Sequence, residues 1–480
     1  MVMKCKIMKF GGSCLKNAEA FERIIEITKI YSESRKVYVA SAFKGITDML
    51  LNTAENVKNA IFVDRNITLI EKKHLDIIEE IFGQDTQHYN KCRKWLDKKL
   101  GEVEECLADI EEFGLEPYYR DYIASFGEIL STYILNQYLL SKGFNSVYIS
   151  SYNLLITNNE YTNAYPLYDL TNARVKRQVI PLLENPKENT ICCITGFIGR
   201  NKIGYTTTFG RGGSDYTATI LARSIDEVSS NLDIKVIMWK DVDGLLTIDP
   251  KYVPESVLIK NLDYMEAKRI ANLGAKILHP KCLEAIENRN IPLEIRNFDN
   301  PLEKENFTTI SGRTDKDSIK GISTIDEATI ITITSGSMVG VPGVLAKIFS
   351  VMGKHNISVT FVSQSSSEVS TSFVVRGEDG ERALSILKKN EEFSEFYKIS
   401  SEQIAIINIT GKKVLDNETK SRIFKALAKK NVKVTSVAQS HKGVNLSLIV
   451  QKDKLLDGIT LIHDALCEDF DTFKCIDLRK

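Results

Sequence analysis

The chain has 480 residues, more than one hydrophobic core usually serves, so we expect two or three domains. Its 63 basic and 63 acidic residues cancel, which argues against nucleic acid or an anionic membrane as partner and favours a small molecule. Lysines interrupt the N-terminus where a signal peptide is apolar, no apolar stretch reaches the length of a membrane span, and the nine cysteines form no C-x-x-C pair. We therefore expect a soluble protein of the reducing cytoplasm.

The first elements in chain order are short apolar runs separated by helical patterns, which favours an open, mainly parallel sheet sandwiched by helices. Several runs are apolar on both faces, as buried parallel strands are. The charged segment 56–116 has helical periodicity, and we interpret it as a helical insertion. The predicted strands are 5–10, 36–40, 147–149, 190–195, 235–239 and 293–296.

Two adjacent glycines, Gly11 and Gly12, follow the first strand and precede a helical pattern at 18–30. Such a pair lets backbone N–H groups approach phosphate oxygens, and Lys9 adds a positive charge at the strand end. The pattern lacks the closing residues of a Walker A loop and the third glycine of a dinucleotide fingerprint. On its own it fits either a phosphate loop or a tight turn.

A more specific segment covers residues 206–216, where three glycines surround Arg211 and lead into Ser214, Asp215 and a predicted helix at 216–223. A glycine-walled loop beside a helix N-terminus suits an anion. The Arg211 guanidinium can bind a carboxylate through two hydrogen bonds, and Asp215 can position lysines around a transferring phosphoryl group. The alternative is a solvated hairpin with a capping Ser-Asp pair.

Two further segments carry candidate polar groups. Residues 239–251 follow an apolar strand, and the carboxyl ends of parallel strands are where open α/β sheets bind ligands, although Asp-Gly and Asp-Pro are also ordinary turn residues. Residues 125–128 are predicted to open a helix and offer the Glu128 carboxylate to an ammonium group. A capped helix start without function explains that segment equally well.

Beyond residue 300 the sequence repeats itself at one offset of 75 positions. Ile348-Phe349 recurs as Ile423-Phe424, Asn356 as Asn431 and Gln364 as Gln439. Each copy has the pattern strand, helix, strand, strand, helix, strand, and two units this small are expected to bury their sheet faces against each other or a second subunit. Regulatory modules of the ACT type are built in this way.

Six motifs occur together in an order that resembles the aspartate kinases, members of the amino-acid kinase superfamily. The resemblance runs essentially end to end. The motifs are Lys-Phe-Gly-Gly at 9–12, Ser-Ala-x-x-x-Ile-Thr at 41–47, Phe-Gly-Glu at 126–128, Thr-Gly-Phe-Ile-Gly at 195–199, Gly-Arg-Gly-Gly-Ser-Asp-Tyr at 210–216 and Gly-Ala-Lys-x-Leu-His-Pro at 274–280.

The resemblance implies a role for each matching residue. Lys9, Asp215 and Arg211 are the expected catalytic residues, with Lys9 on the transferring phosphoryl group and Asp215 organising the cationic cluster. The implied aspartate-binding residues are Ser41, Thr47, Glu128, Phe197, Arg211 and Ser214. The implied ATP-binding residues are Lys9, Gly11, Gly12, Ser13, Lys240, Asp241, Leu246, Lys251 and Lys276. No protein metal site is expected, since Mg²⁺ would arrive with ATP.

The chain departs from the family pattern at several positions. Ser13-Cys14 replaces the usual Thr-Ser, which keeps one hydroxyl. Lys240, Leu246 and Lys251 stand where Thr, Tyr and Arg are common, so a weaker ATP site is an open alternative.

The implied organisation is an amino-acid kinase domain at 1–300 and two βαββαβ ACT-type, ferredoxin-like modules at 301–400 and 401–480, with strand exchange between the modules left open. Because no dehydrogenase segment follows, we expect a monofunctional aspartate kinase. Its reaction would phosphorylate the L-aspartate β-carboxylate with ATP, as the first step towards lysine, threonine and methionine. A kinase of glutamate, carbamate or a nucleotide, and a sensor without activity, are the alternatives.

The two repeats differ at the first strand-to-helix turn, where copy two has Leu415 for Gly340 and Glu418 for Gly343. The resemblance therefore implies feedback inhibition through copy one, by threonine or lysine, in a homodimer or homotetramer joined by the ACT modules. The expected effector residues are Met338, Gly340, Gly343, Asn356, Ile357 and Gln364.

Overall fold

The computed structural model describes residues 2–84, 86–272, 277–312, 318–335, 342–364, 369–391, 393, 397–439 and 444–470. The chain divides into two compact units. The first comprises Met1–Leu245, Lys260–Ala267 and Ile277–Thr314, and the second comprises Leu246–Ile259, Lys268–Lys276 and Asp315–Lys480.

The first unit is built on an eight-stranded sheet with the order β3-β5-β2-β1-β8-β10-β11-β9. The strands from β3 to β10 in that order are parallel, and only β11 runs antiparallel to its neighbour β10. This confirms the predicted mainly parallel sheet. The strands are β1 (Met3–Phe10), β2 (Arg35–Ala40), β3 (Ser146–Ile149), β5 (Ile191–Thr195), β8 (Leu232–Lys240), β9 (Asn261–Leu262), β10 (Leu293–Asn297) and β11 (Thr308–Ile310).

A smaller three-stranded sheet lies in the same unit, with the order β4-β6-β7. Its strands are β4 (Ile156–Thr157), β6 (Ile198–Asn201) and β7 (Thr206–Thr208). The helices outside the repeats are α1 (Ala18–Ile30), α2 (Ile46–Glu55), α3 (Ala60–Phe82), α4 (Gln87–Phe113), α5 (Pro117–Ser141), α6 (Tyr168–Gln178), α7 (Ile180–Leu183), α8 (Gly213–Val228), α9 (Tyr264–Asn272) and α10 (Pro280–Glu287).

The predicted helical insertion at 56–116 is confirmed as α3 and α4. Their apolar positions recur at helical spacing, so one side of each helix is buried in the main core of the first unit, with Ile70 and Leu96 fully buried. The insertion therefore extends the core around α5.

The expectation that residues 125–128 open a helix is wrong. Helix α5 begins at Pro117, a residue suited to the first turn of a helix because it needs no N–H donor there. Glu128 consequently lies in the buried middle of α5. Gly127 allows α5 to pack closely, because a Cβ atom there would lie 2.6 Å from the Cβ of Ala42.

The second unit contains a six-stranded sheet with the order β13-β14-β12-β15-β17-β16. The strands are β12 (Gly321–Thr334), β13 (Val359–Gln364), β14 (Ser370–Arg376), β15 (Lys398–Thr410), β16 (Val434–Gln439) and β17 (Asn445–Gln451). The helices are α11 (Val344–Lys354), α12 (Asp379–Lys389), α13 (Asn417–Lys429) and α14 (Leu455–Leu466).

The structure confirms the internal repeat. Strands β13 and β14 recur as β16 and β17 at the same offset of 75 residues. Asn356 and Asn431, which also differ by 75, have nearly equal positive φ angles of 55° and 53° after their helices. Asparagine is one of the few residues that adopts this conformation readily, so the repeat extends to the backbone of the helix ends.

Strands β12 and β15 each run through both copies of the repeat. The C-terminal part of β12 pairs with β14, and the C-terminal part of β15 pairs with β17. The two long strands pair with each other along their length, with an irregularity between Ile325 and Ala328. The predicted module division at residue 400 falls inside β15.

Within the described residues, no helix has both the length and the apolar character needed to cross a membrane.

Candidate active site

Four neighbouring parallel strands bring the predicted site residues to one edge of the large sheet. Phe10 at the end of β1 is in register with Ala40 at the end of β2 and with Trp239 near the end of β8. Ala40 is in turn in register with Thr195 at the end of β5. The residues that follow these strands therefore meet where an open α/β sheet offers a ligand site.

Asp215 binds two lysines at this edge. Its Oδ1 lies 2.8 Å from Lys9 Nζ, and its Oδ2 lies 2.7 Å from Lys240 Nζ. Burial raises the pKa of Asp215, but Lys9 and Lys240 outweigh burial and hold it at about 2. Asp215 also lies in the first turn of α8, where a negative charge is favourable. The structure thus joins three predicted residues into one ionised cluster.

The glycines after β1 keep the surroundings of this cluster open. A Cβ atom on Gly11 would lie 3.3 Å from Lys9 Nζ, and one on Gly12 would lie 2.8 Å from the Ala42 carbonyl oxygen. Ser13 lies in the 3-10 turn Gly12–Leu15 that follows. A side chain at Gly11 would crowd the Lys9 ammonium group, and one at Gly12 would collide with the backbone of the loop after β2.

Glu128 is a buried carboxyl group of a different kind. The Ser214 hydroxyl approaches its Oε1 at 3.4 Å, and its Oε2 has no hydrogen-bond partner among the described residues. None of the lysines or arginines described lies within ion-pair distance of it. Burial raises the pKa of Glu128 to about 8, more than Ser214 and the Ala42 backbone lower it. Among the described residues, Lys9 also lowers the pKa of Glu128, but it does not outweigh burial.

The loop before α8 presents Arg211 to solvent. Gly210 and Gly212 have positive φ angles of 72° and 71°, and a Cβ atom on Gly212 would lie 2.8 Å from His279 Cβ. Both positions therefore need glycine. Arg211 between them is exposed, and no carboxylate of the described residues pairs with it. Its guanidinium group is available for an anion.

The other predicted aspartate-binding residues surround Glu128 and α8. The Ser41 N–H donates to the Phe10 carbonyl, which fixes the loop after β2 beside the loop after β1. Thr47 lies beside α5, since its Oγ1 is 3.5 Å from the point that a Cβ atom on Gly127 would occupy. Phe197 has a strained backbone with a φ angle of 68°. Phe197 donates its N–H to Thr217 Oγ1 on α8 at 2.9 Å.

Asp121 is a residue of this site that the sequence analysis missed. It lies two helical turns before Glu128 on α5, and its carboxylate accepts hydrogen bonds from the N–H of Thr162 and from both the N–H and the hydroxyl of Thr208. Thr208 ends β7, directly before the loop that carries Arg211. Asp121 therefore attaches the helix of Glu128 to the loop of Arg211.

The predicted nucleotide residues are divided among different parts of the chain. Asp241 is exposed directly after β8, near Lys240 in sequence. Leu246 and Lys251 belong to the second compact unit, where Lys251 Nζ lies 2.9 Å from Asp326 Oδ2. Lys276 lies outside the described residues. Of the four described residues among these five, Lys240 is the one that pairs with Asp215.

The predicted effector residues lie at two ends of α11. Gly343 precedes the helix with a φ angle of 91°, whereas Asn356 and the buried Ile357 follow it. An eleven-residue helix is about 16 Å long, so one amino acid cannot contact both ends of α11 in a single chain. Gln364 ends β13 and lines a cavity of about 410 Å³. Met338 and Gly340 lie outside the described residues.

The side chains described show no thiolate or metal cluster beside the Asp215 group. Cys14 is buried, and burial raises its pKa to about 11, so its thiol stays protonated at neutral pH. In the part of the chain that the structure describes, no three histidine, cysteine or acidic side chains come together as a metal site.

Comparison with known protein families gives two matches. The amino acid kinase family model matches residues 4–297, and an ACT domain model matches residues 331–390. The first match covers well over half of the chain, so the chain belongs to the amino acid kinase family.

Individual relatives narrow the assignment. Aspartokinase 1, chloroplastic, of Arabidopsis thaliana is 30% identical over 476 residues, which cover 97% of this chain and 80% of the relative. The bifunctional aspartokinase/homoserine dehydrogenase of Buchnera aphidicola is 28% identical over 473 residues, 96% of this chain. This chain spans 56% of the length of the Buchnera protein and 57% of its Haemophilus influenzae counterpart. Within the amino acid kinases, the chain is a member of the aspartokinases.

The fold also matches a solved aspartokinase. Escherichia coli aspartokinase III in complex with aspartate and ADP has a TM-score of 0.80 at 24% identity, covering 97% of this chain and 100% of the other. The same enzyme in complex with lysine and aspartate has a TM-score of 0.77 at 25% identity, covering 96% and 99%. The amino-acid kinase fold with a C-terminal ACT region is thus confirmed.

Proposed function

We propose that this protein transfers the γ-phosphoryl group of ATP to the β-carboxylate of L-aspartate, giving 4-phospho-L-aspartate and ADP. The observation that carries the proposal is the contrast between two buried carboxyl groups in one unit. Asp215 is held by two lysines, whereas Glu128 has no cation within ion-pair distance among the described residues. The first arrangement suits a transferring phosphoryl group, and the second suits a substrate that brings its own ammonium.

At the phosphoryl end, Lys9 and Lys240 are held in place before ATP binds. Asp215 fixes both ammonium groups, so little reorganisation is needed when charge develops on the phosphoryl oxygens. The N–H groups around Gly11, Gly12 and Ser13 are the proposed donors to the ATP phosphates. An oxygen of the β-carboxylate attacks the γ-phosphorus, the bond from that phosphorus to the bridging oxygen breaks, and ADP leaves. The carboxylate is already ionised, so the step needs no general base.

At the aspartate end, Glu128 is the proposed partner of the substrate ammonium. A bound ammonium would favour the ionised form of Glu128 and fill the unmet hydrogen-bonding capacity of its Oε2. Arg211 is the proposed partner of a substrate carboxylate, because guanidinium matches carboxylate geometry. Ser41, Thr47, Phe197 and Ser214 would complete the aspartate pocket.

The donor groups described fit a nucleotide that brings its own metal. The cluster beside Gly11 offers cations and open backbone, and no cage of acidic side chains is found among the described residues. Mg²⁺ bound to the ATP phosphates would neutralise charge on them and shield the approach of the aspartate anion. Asp241, Leu246, Lys251 and Lys276 remain the proposed contacts for the rest of ATP.

The proposed place of this reaction is the first step of lysine, threonine and methionine biosynthesis, under feedback inhibition by threonine or lysine. The ACT match supports such regulation, as does the lysine named with the E. coli relative. Because the effector residues lie at both ends of α11, we propose that the pocket forms between two chains of a homodimer or homotetramer. A cytoplasmic location fits the seven buried cysteines from Cys5 to Cys282, which are free thiols.

The test is an activity assay with ATP and each of aspartate, glutamate and carbamate, in which hydroxylamine traps any acyl phosphate as the hydroxamate. The expected result is ADP release and hydroxamate formation with aspartate. Efficient turnover of glutamate or carbamate instead would assign the site to another amino acid kinase activity. Binding of aspartate and ATP without turnover would favour a sensor.

A further inference from the structure

Four cationic side chains line a cavity in the first unit. The cavity has a volume of about 290 Å³ and lies between α6 and the three-stranded sheet. Arg174 and Arg177 come from α6, Arg200 lies on β6, and Lys202 follows that strand. None of these residues belongs to the proposed catalytic or effector sites.

The charge of this cluster is uncompensated within the described residues. Across the residues that the structure describes, no carboxylate forms an ion pair with any of the four side chains. The chain as a whole is balanced, with 63 basic and 63 acidic residues, so this local excess does not reflect a generally basic protein. Burial and the neighbouring charges of Arg200 and Arg177 lower the pKa of Arg174, and they outweigh the opposing effect of Tyr152.

Structural roles account for part of the cluster. Arg174 donates to the Asn153 carbonyl at 2.8 Å, and Arg200 stacks on Tyr152. Arg177 lies in the last turn of α6, where a positive charge is favourable. These contacts hold the guanidinium groups but do not neutralise them. Arg200 Nε is buried and has no hydrogen-bond partner among the described residues.

We propose that this cavity, lined by Arg174, Arg177, Arg200 and Lys202, binds a small multivalent anion with phosphate or carboxylate groups. Guanidinium forks bind such groups through paired hydrogen bonds, and three forks around one cavity match more than one acidic group. The volume is at the lower end of small-molecule sites, which limits the ligand to a compact anion. The exposed Leu170 and the buried Ile156 add an apolar wall.

Calorimetry with inorganic diphosphate and with citrate, at constant ionic strength, tests the site on the full chain. The main variant is Arg177→Gln, because the structure gives this exposed side chain no hydrogen bond that its loss would break. Loss of one charge-assisted contact is expected to weaken binding of the anion at least about tenfold. Arg200→Gln should do the same, with circular dichroism checking that it folds.

The matched control is Lys176→Gln, which removes the same charge from an exposed neighbour that does not line the cavity. It should leave the affinity nearly unchanged, and equal weakening by Lys176→Gln and Arg177→Gln would overturn the proposal in favour of general charge. The variant Lys9→Met shows whether the anion binds in this cavity or at the glycine loop beside Lys9. Binding lost in Lys9→Met but kept in Arg177→Gln and Arg200→Gln would also overturn it, as would a wild-type chain that binds neither anion at millimolar concentration.

Discussion

The two buried carboxyl groups of the candidate active site differ in what surrounds them. Two lysines hold Asp215 ionised, with its pKa at about 2, whereas burial raises the pKa of Glu128 to about 8. Both are acids in a water-poor setting, so burial alone cannot explain the difference. The lysines pair with Asp215 within the chain, whereas under the proposed function Glu128 gains a cationic partner when the substrate ammonium binds. We therefore propose that the unpaired acid matches a positive charge on the substrate, and that the paired acid holds its lysines in place before ATP binds.

The largest expected effect on turnover comes from removing one of the lysines that pair with Asp215. Lys9→Met should lower kcat by about 10²–10³ while leaving the aspartate KM nearly unchanged, because it removes one preorganised charge beside the phosphoryl group. Steady-state kinetics with both substrates measures this. Lys16→Met, an exposed lysine beyond the same glycine pair, is the control and should behave as wild type. Normal turnover in Lys9→Met would remove Lys9 from the mechanism.

Substitutions at Glu128 and Arg211 should change the KM for aspartate rather than kcat. Glu128→Gln is expected to raise the aspartate KM by about 10–100-fold, the loss of a charge-assisted contact, with little change in the ATP KM. Arg211→Lys should act in the same direction, since it loses the guanidinium fork. If the ATP KM rises and the aspartate KM does not, both residues belong to the nucleotide site.

Substitution of Asp121 can weaken the attachment of helix α5 to the loop of Arg211 without removing a proposed substrate contact. Asp121→Asn keeps one acceptor oxygen but loses the second, so the Thr162 and Thr208 donors compete for it. We expect kcat/KM for aspartate to fall by roughly tenfold and the melting temperature to fall by a few degrees. The matched control is Asp169→Asn, which makes the same change at an exposed position of α6. A lower melting temperature with unchanged kcat/KM would make Asp121 purely structural.

The pH dependence of aspartate binding and of stability tests the ionisation state of Glu128 directly. If aspartate binds only when Glu128 is ionised, the aspartate KM should fall about fivefold from pH 7 to pH 8, and Glu128→Gln should abolish that fall. In the free protein, Glu128 holds a proton that the unfolded chain releases above its ordinary pKa of 4.5. Its contribution to the free energy of unfolding is therefore lost as the pH rises towards 8. Thermal unfolding of wild type and Glu128→Gln across pH 5–8 should diverge accordingly, and parallel curves would contradict the assignment.

The smallest expected effect concerns regulation. Gln364→Ala should weaken inhibition by threonine or lysine several-fold, within the usual range of about 1–3 kcal/mol for allosteric coupling. Gln439→Ala, the same residue in the second copy, is the matched control and should leave inhibition unchanged. The reverse result would move the effector pocket to copy two. Absence of inhibition of wild type by millimolar threonine or lysine would contradict feedback control itself.

Local sequence patterns were enough to predict much of the fold. The repeat at an offset of 75 residues predicted two copies of the same strand-helix pattern, and β13 and β14 recur as β16 and β17 at that offset. The full length of β12 was not evident from the sequence, since Asp326 and Glu327 interrupt its apolar pattern where the pairing with β15 is irregular. The start of α5 was misplaced because the Ser-Phe-Gly-Glu segment resembles a helix cap although the helix begins at Pro117.

The site residues were predictable where a motif marks them. Separate segments of the sequence supply Lys9, Asp215 and Lys240. Their ion pairs depend on the register of β1 with β8 and on the position of α8, which the sequence does not reveal. Asp121 has no local signal, because its partners Thr162 and Thr208 are 41 and 87 residues away in the chain. The state of Glu128 was also hidden, since burial and missing partners are properties of the packed structure.

The two long strands shared by the repeats constrain how this protein can be shortened or recombined. Because β12 and β15 each supply pairing to both halves of the six-stranded sheet, a cut between the copies would leave each fragment with an unsatisfied strand edge. Neither copy can be removed as a self-contained cassette. Any recombination that keeps a folded regulatory region must therefore transfer both copies together.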